Sequence, residues 1–246
     1  MSGRGRSRGV FGHLSLLLMG KSLVDEVGRM PVKPMVTFVL MALQIAVYFL
    51  FVPGVDYRVK SMCLNPKAML GNITASVWIR RIVASALLHS NDRHLYFNMI
   101  SFLHKGVALE PILGPQPFLL LIAVLMFLSG VTNVLVSYVA SAYFGYSKPL
   151  QSCAIGFSGV LFGLSTFLNM QYRERSVRIF GFSVKPSYAA WAELVLIQII
   201  VPRASLMGHL SGILAGLVVV YYQRYKPITE PTDGSRFHGS GRLGTG

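Results

Sequence analysis

Charge is what this chain has least of. Only 13% of its residues are Asp, Glu, Lys or Arg, against about 25% in an ordinary soluble domain. Acids are scarcest: 9 stand against 23 Lys and Arg, and none falls in the first 24 residues. That shortage argues against a soluble globular domain. Cysteine is nearly absent too, with Cys63 and Cys153 the only two in 246 residues. Two are too few for a disulfide scaffold, and both a single bridge on an oxidising side and two free thiols fit. There is no internal repeat. No small-residue cleavage site follows the short apolar stretch at 14–19, so a cleaved signal peptide is not expected, whereas a transit peptide fits the Arg- and Ser-bearing, acid-free start.

What the chain does have is long apolar runs. Hydrophobic residues make up 53% of it, and mean hydropathy is +0.55. In a soluble protein a formal charge of +14 would point to nucleic acid. Here the cations sit in the flanks of apolar runs, as they do on the cytoplasmic side of membrane proteins, and no nucleic-acid partner is expected. Six runs read as membrane spans, at about 35–53, 91–110, 116–139, 152–171, 188–202 and 205–223; the last two are short for a bilayer crossing, so their edges are soft. The division that follows is a basic cytoplasmic segment at 1–34, a six-helix membrane domain at 35–223 and a Gly-, Ser- and Pro-rich tail at 224–246, expected to be disordered.

With both termini in the cytoplasm, 15 cations fall on that side and 8 on the other, as the positive-inside rule prefers. The long loop at 54–90 then faces the lumen. So does the sequon Asn72-Ile73-Thr74, a possible glycosylation site.

Polar side chains in lipid are costly and usually functional. Spans two, four and six all run from lumen to cytoplasm, and each carries such residues near its lumenal end: His94 and Asn98, then Ser158, then His209. With a rise of about 1.5 Å per residue, they share one shallow depth. His94 and Asn98 are four apart and lie on one helix face, with His89 near the mouth. Gly156, Gly159 and Gly163 in span four, and Gly208, Gly212 and Gly216 in span six, are read as helix-packing residues, because small residues at this spacing let backbones approach. Such an approach would let His209 take the proton from Ser158, which a serine nucleophile needs. The His94 ring, the Asn98 amide and the Ser158 N–H are candidate oxyanion donors. A third, acidic triad member is not evident, so the expectation is a two-residue dyad.

Each feature has a plainer reading when taken alone. A serine in a membrane helix most often packs or bonds to its own backbone, and a glycine pair says only that helices touch. The offsets of His89, His94 and His104 do not put three ligands on one face, so no metal is expected, and no cofactor is implied. The soluble-hydrolase G-x-S-x-G elbow is absent, since Val160 stands at its last position. Glu110 and Glu193 are read as structural polar partners, and Cys153 as a bystander.

In combination, HSNDRHLYFNMISF (89–102), KGVALEPILG (105–114), GFSG (156–159) and GHLSGILAG (208–216) resemble the rhomboid intramembrane serine proteases. The resemblance runs from about Trp78 to Gly216 and is strongest to the endoplasmic-reticulum branch, the rhomboid-related protein four type, plant relatives included. It implies an all-α polytopic membrane protein, a rhomboid-type six-helix bundle with a lumen-facing polar cavity. It implies Ser158 as nucleophile, His209 as base, His94 and Asn98 as oxyanion donors, and a less defined role for His89. It also implies membrane-protein substrates, cleaved in or beside a span within the lipid bilayer, and entry past span five, with Trp191 and Phe97 as candidate gate residues. The expected location is the endoplasmic reticulum, with Golgi, mitochondrion and plastid as alternatives. A link to quality-control or degradation machinery stays open, because the tail carries no obvious motif. Two departures stand out. Trp78 is followed by Ile79 before Arg80-Arg81, where the family often has Trp-Arg. Phe162 stands where many members carry Tyr.

Two rivals remain. One is a catalytically inactive rhomboid-fold protein that binds and routes membrane clients; the retained Ser158 and His209 argue against it. The other is a small transporter, which predicts an inverted repeat or paired half-helices that the sequence lacks.

Overall fold

The computed structural model describes residues 10–29, 33–49, 59–71, 73–172, 176–179, 181–202 and 204–225. The possible glycosylation site Asn72, the arginines before residue 10 and the tail from residue 226 lie outside them.

The described chain is mostly helical. Its principal helices are α1 (Val10–Arg29), α2 (Met35–Tyr48), α5 (Ala75–Leu87), α6 (Asp92–Leu113), α7 (Pro115–Phe144), α9 (Ser158–Gln171), α10 (Pro186–Ile200) and α11 (Leu206–Tyr225). One-turn helices α3 (Val59–Met62), α4 (Pro66–Met69) and α8 (Lys148–Gln151) lie in the loops. A small antiparallel hairpin, β1 (Val177–Ile179) with β2 (Phe182–Val184), precedes α10. The six expected runs correspond to α2, α6, α7, α9, α10 and α11. Among the described residues, however, only α7 and residues 206–223 of α11 are long and apolar enough to cross a membrane by length and composition. The others fall short because α6 carries its polar side chains, α9 has 14 residues, and α2 and α10 have 14 and 15.

Helix α9 is the centre of the packing. Residues 160–169 of it are buried without a break, as expected for a helix surrounded on all sides. It contacts α11 most extensively, then α7, α10 and α6, while α2 lies on α6. The main core joins Phe102 and Leu109 of α6, Phe118 and Leu125 of α7, and Leu164 and Phe167 of α9, all fully buried.

Glycines set the α9–α11 distance. A Cβ at Gly212 would stand 2.1 Å from the Gly159 carbonyl oxygen, and one at Gly216 2.7 Å from that of Gly163. No side chain fits there. Gly163 also faces Leu125, and Gly208 lies under Ser205 and Asn133. Gly156 departs from expectation. It lies before α9, has φ +115, and its Cβ position is 2.6 Å from the His94 ring. From the loop before α9 it leaves room for the His94 ring of α6, and it packs no helix pair.

At the opposite end of α6, Glu110 accepts hydrogen bonds from Val36 N (2.8 Å), Thr37 N (3.0 Å) and Thr37 Oγ1 (2.8 Å). Pro34 gives α2 no side-chain cap, so a carboxylate from α6 satisfies its first N–H groups, where negative charge is also favoured. The segment read as a basic arm contains α1, which lies along α6 through Ser22–Tyr96 (3.1 Å) and His104–Glu26 (3.3 Å).

Candidate active site

Asn91 starts α6. Its Oδ1 accepts from His94 N at 2.9 Å, the usual N-cap arrangement, and this fixes His94 on the first turn. Ser90 N and Ser90 Oγ both reach His94 Nδ1, at 3.4 and 3.1 Å. A backbone N–H can only donate, so Nδ1 accepts and the ring proton sits on Nε2. That nitrogen faces the Gly156 backbone.

The segment ahead of Ser158 is held from several directions. Leu64 and Ala154 pair as a two-bond backbone bridge of 3.0 Å each way. Gly156 N donates to Ser85 O at 2.8 Å. Phe157 is buried edge-on against Phe102, ring centroids 4.9 Å apart. Cys63 and Cys153 form a disulfide with Cα atoms 5.4 Å apart, which resolves the two states left open by the sequence. After this anchored stretch the helix begins at Ser158 itself, six residues later than the apolar run beginning at 152. The first N–H groups of a helix have no intrahelical partner, so the Ser158 N–H belongs to a positively polarised helix terminus.

Ser158 Oγ and His209 Nε2 are 3.0 Å apart. For the serine hydroxyl to donate, Nε2 must be unprotonated, which puts the ring proton on Nδ1. Nδ1 is buried and, among the described residues, has no hydrogen-bond partner, carboxylate or other. Phe162, one turn after the serine, lies against the His209 ring with centroids 4.7 Å apart and planes inclined by 30°. A cavity of about 50 Å³ adjoins Ser158, lined in part by Ser85, Ser129, Asn133, Gly156 and Ser205. Its lining is mixed, with those polar groups set among Leu64, Ile82, Met126 and Val160, and it is large enough for a water or two.

The other expected residues are placed less uniformly. Asn98 is buried, but its amide donates to the His94 carbonyl at 2.8 Å, and its Oδ1 has no hydrogen-bond partner among the described residues. His89 is buried behind His94, ring centroids 5.1 Å apart, with Nδ1 3.2 Å from Leu87 O. Burial first, and the neighbouring His94 second, push its pKa down to about 3, so it is neutral at physiological pH. Phe97 on α6 is 60% exposed and Trp191 on α10 is 37% exposed. The polar α7 residues Ser129 and Asn133 were not singled out from sequence. Their signal is the four-residue spacing of polar groups in an otherwise apolar helix.

Residues 76–226 match the Rhomboid domain family. The chain belongs to the rhomboid family. Among its relatives, Rhomboid-like protein 14, mitochondrial, of Arabidopsis thaliana is 37% identical over 88% of this chain and 63% of its own length. Human Rhomboid-related protein 4 is 37% identical over 87% of this chain and 64% of its own. The mouse protein of that name is 43% identical over 56% of this chain and 44% of its own. This rhomboid thus spans less than two thirds of the length of those relatives. The matched region contains Ser158, His209, His94, Asn98 and His89, and the membership makes it a membrane protein.

Proposed function

We propose that this rhomboid is an intramembrane serine endopeptidase that cleaves membrane proteins in or beside a span through a Ser158–His209 dyad. The carrying observation is the 3.0 Å contact between Ser158 Oγ and His209 Nε2, made between two helices at the glycine-lined seam. In the reaction His209 Nε2 takes the hydroxyl proton as Oγ attacks the scissile carbonyl. The Ser158 N–H at the α9 terminus and the His94 Nε2–H stabilise the oxyanion, and Asn98 joins them if its amide leaves the His94 carbonyl. His209 then gives its proton to the departing amine. Water hydrolyses the acyl-enzyme, drawn from the cavity beside Ser158 at its polar groups Ser85, Ser129, Asn133 and Ser205. Phe162 holds the base by ring contact, a task that does not need the hydroxyl of a tyrosine.

The reading places α2, α6, α7, α9, α10 and α11 across the bilayer, with Ser158 near the lumenal face and residues 224–246 in the cytoplasm; α1 lies along α6 as far as Tyr96, so the segment 1–34 does not stand wholly in the cytoplasm as its charge suggests. The Cys63–Cys153 bridge supports that orientation, because disulfides persist on the oxidising side of a membrane. It fits the lumen of the endoplasmic reticulum, the preferred location, better than a reducing compartment. Asn72 would then be open to glycosylation. Membrane-protein substrates are the expected partners, and contact with degradation machinery is a separate question.

The test is processing of a co-expressed membrane substrate by the wild type, Ser158→Ala and His209→Ala. The reading expects cleavage by the wild type alone. Equal processing by all three would favour the inactive, client-binding rhomboid instead.

A further inference from the structure

A second polar cluster lies away from the dyad, and the proposed chemistry does not use it. Lys105 of α6, which is only 13% exposed, places Nζ 3.9 Å from Glu193 Oε2 of α10. The same Glu193 oxygen accepts from Ser165 Oγ of α9 at 3.0 Å, and Asn169 Nδ2 donates to Ser165 Oγ at 3.3 Å. Lys105 Nζ also donates to Ser101 Oγ at 2.9 Å. Ser165 lies seven residues after Ser158, or about 10 Å further along α9. Charged groups at such depth are costly unless paired, so this pair needs a reason.

The reason lies in α10. Its side chains are thinly covered: Ala189, Ala190 and Leu194 are its buried residues, while Val195, Ile199 and Ile200 are 57–71% exposed. It packs on α9 and α11. Ala190 and Leu194 share one buried apolar cluster with Phe162 and Ile213, and the Phe162 ring backs His209. Helix α10 is therefore the lateral cover of the dyad, and its apolar packing against that site is small. The Lys105–Glu193 contact adds a tie from α10 to α6.

We propose that Lys105 and Glu193, seated on Ser165 and Asn169, form a charged latch that holds α10 closed over the dyad and limits lateral access to it. Neither residue is catalytic; both position the cover. The effect on cleavage rests on the protease reading, whereas the effect on α10 does not.

The experiment measures amide hydrogen exchange in bilayer nanodiscs, fluorophosphonate labelling of Ser158, and cleavage of a transmembrane substrate. It compares the wild type, Glu193→Gln and the double variant Lys105→Met/Glu193→Gln, which leaves no unpaired charge in case the single variant folds poorly. Exchange of α10 amides should accelerate about threefold or more in both variants, with α7 unchanged. Cleavage should rise by a similar factor through a lower KM, with labelling unaltered. The charge swap Lys105→Glu/Glu193→Lys should restore slow exchange. Wild-type exchange in α10 of the double variant would overturn the latch. So would exchange that accelerates equally in α7 and α10, the mark of general destabilisation. A wild type that neither labels nor cleaves would refute the protease reading, and the exchange data would still decide the latch.

Discussion

Helix α9 meets α11 and α10 through two different kinds of contact. Against α11 it offers glycine: the backbone carbonyls of Gly159 and Gly163 lie where Cβ atoms of Gly212 and Gly216 would otherwise be. Against α10 it offers Phe162 and the hydroxyl of Ser165, with much of the α10 surface left uncovered. Backbone contact has no rotamers to adjust, so the first seam has little freedom and can hold Ser158 Oγ and His209 Nε2 at one separation. Side-chain contact through a few residues leaves the second helix able to move. The comparison assigns geometry to one face of α9 and access to the other.

The largest structural effect should come from filling the rigid seam. Gly212→Val puts a branched side chain where even a Cβ meets a carbonyl at 2.1 Å. We expect a loss of about 3 kcal/mol or more, read by thermal unfolding, and no Ser158 labelling. A change at the α10 surface is the control. Val195→Ala, at a position 60% exposed, should stay within about 0.5 kcal/mol of the wild type. Comparable losses at both sites would remove the distinction.

The next effect concerns the segment that delivers Ser158 to the seam. Cys63→Ser/Cys153→Ser opens a link between residues 90 apart and should cost about 2–4 kcal/mol. Labelling should fall as the Leu64–Ala154 bridge loosens, while hydrogen exchange in α10 should not change. Glu110→Gln comes after it, because the α2 terminus loses a charged acceptor but keeps a neutral one. About 1 kcal/mol is expected from melting curves, with the dyad intact.

The last effect is one of pH, and its size grows with how far pH falls. His89 titrates near its ordinary value, about 6.5, when unfolded but only at about 3 when folded. Between those values the unfolded chain binds more protons, so stability rises with pH there. Melting temperature should fall as pH drops from about 6.5 towards 3, and His89→Gln should flatten that slope. An unchanged slope in the variant would assign the acid sensitivity elsewhere.

The sequence made the paired helices legible because polar residues in lipid and glycines at helical spacing are both rare enough to stand out. Matching depth and the glycine spacing of spans four and six put Ser158 and His209 together, and their side chains meet at 3.0 Å. The start of α9 was less legible: residues 152–157 contain Cys153, Ala154, Ile155 and Phe157, apolar enough to continue a span, so hydropathy could not see the extended stretch that exposes the Ser158 N–H. Gly156 was misread for the same reason, since spacing shows that a glycine is present and not which neighbour needs the space. The disulfide spans 90 residues without a local signal. Glu110 and Glu193 were recognised as structural partners, but the helices they join could not be named from a single chain, because hydrogen-bond partners 28 to 74 residues apart follow only from packing.

The most direct test of the dyad is fluorophosphonate labelling of the purified, membrane-reconstituted protein, with the modified residue located by mass spectrometry. The account predicts one labelled site, Ser158, at a rate reduced at least about 10³-fold in His209→Ala although that variant still folds. Labelling of Ser158 at the wild-type rate without His209, or no labelling of a folded wild type, would contradict it.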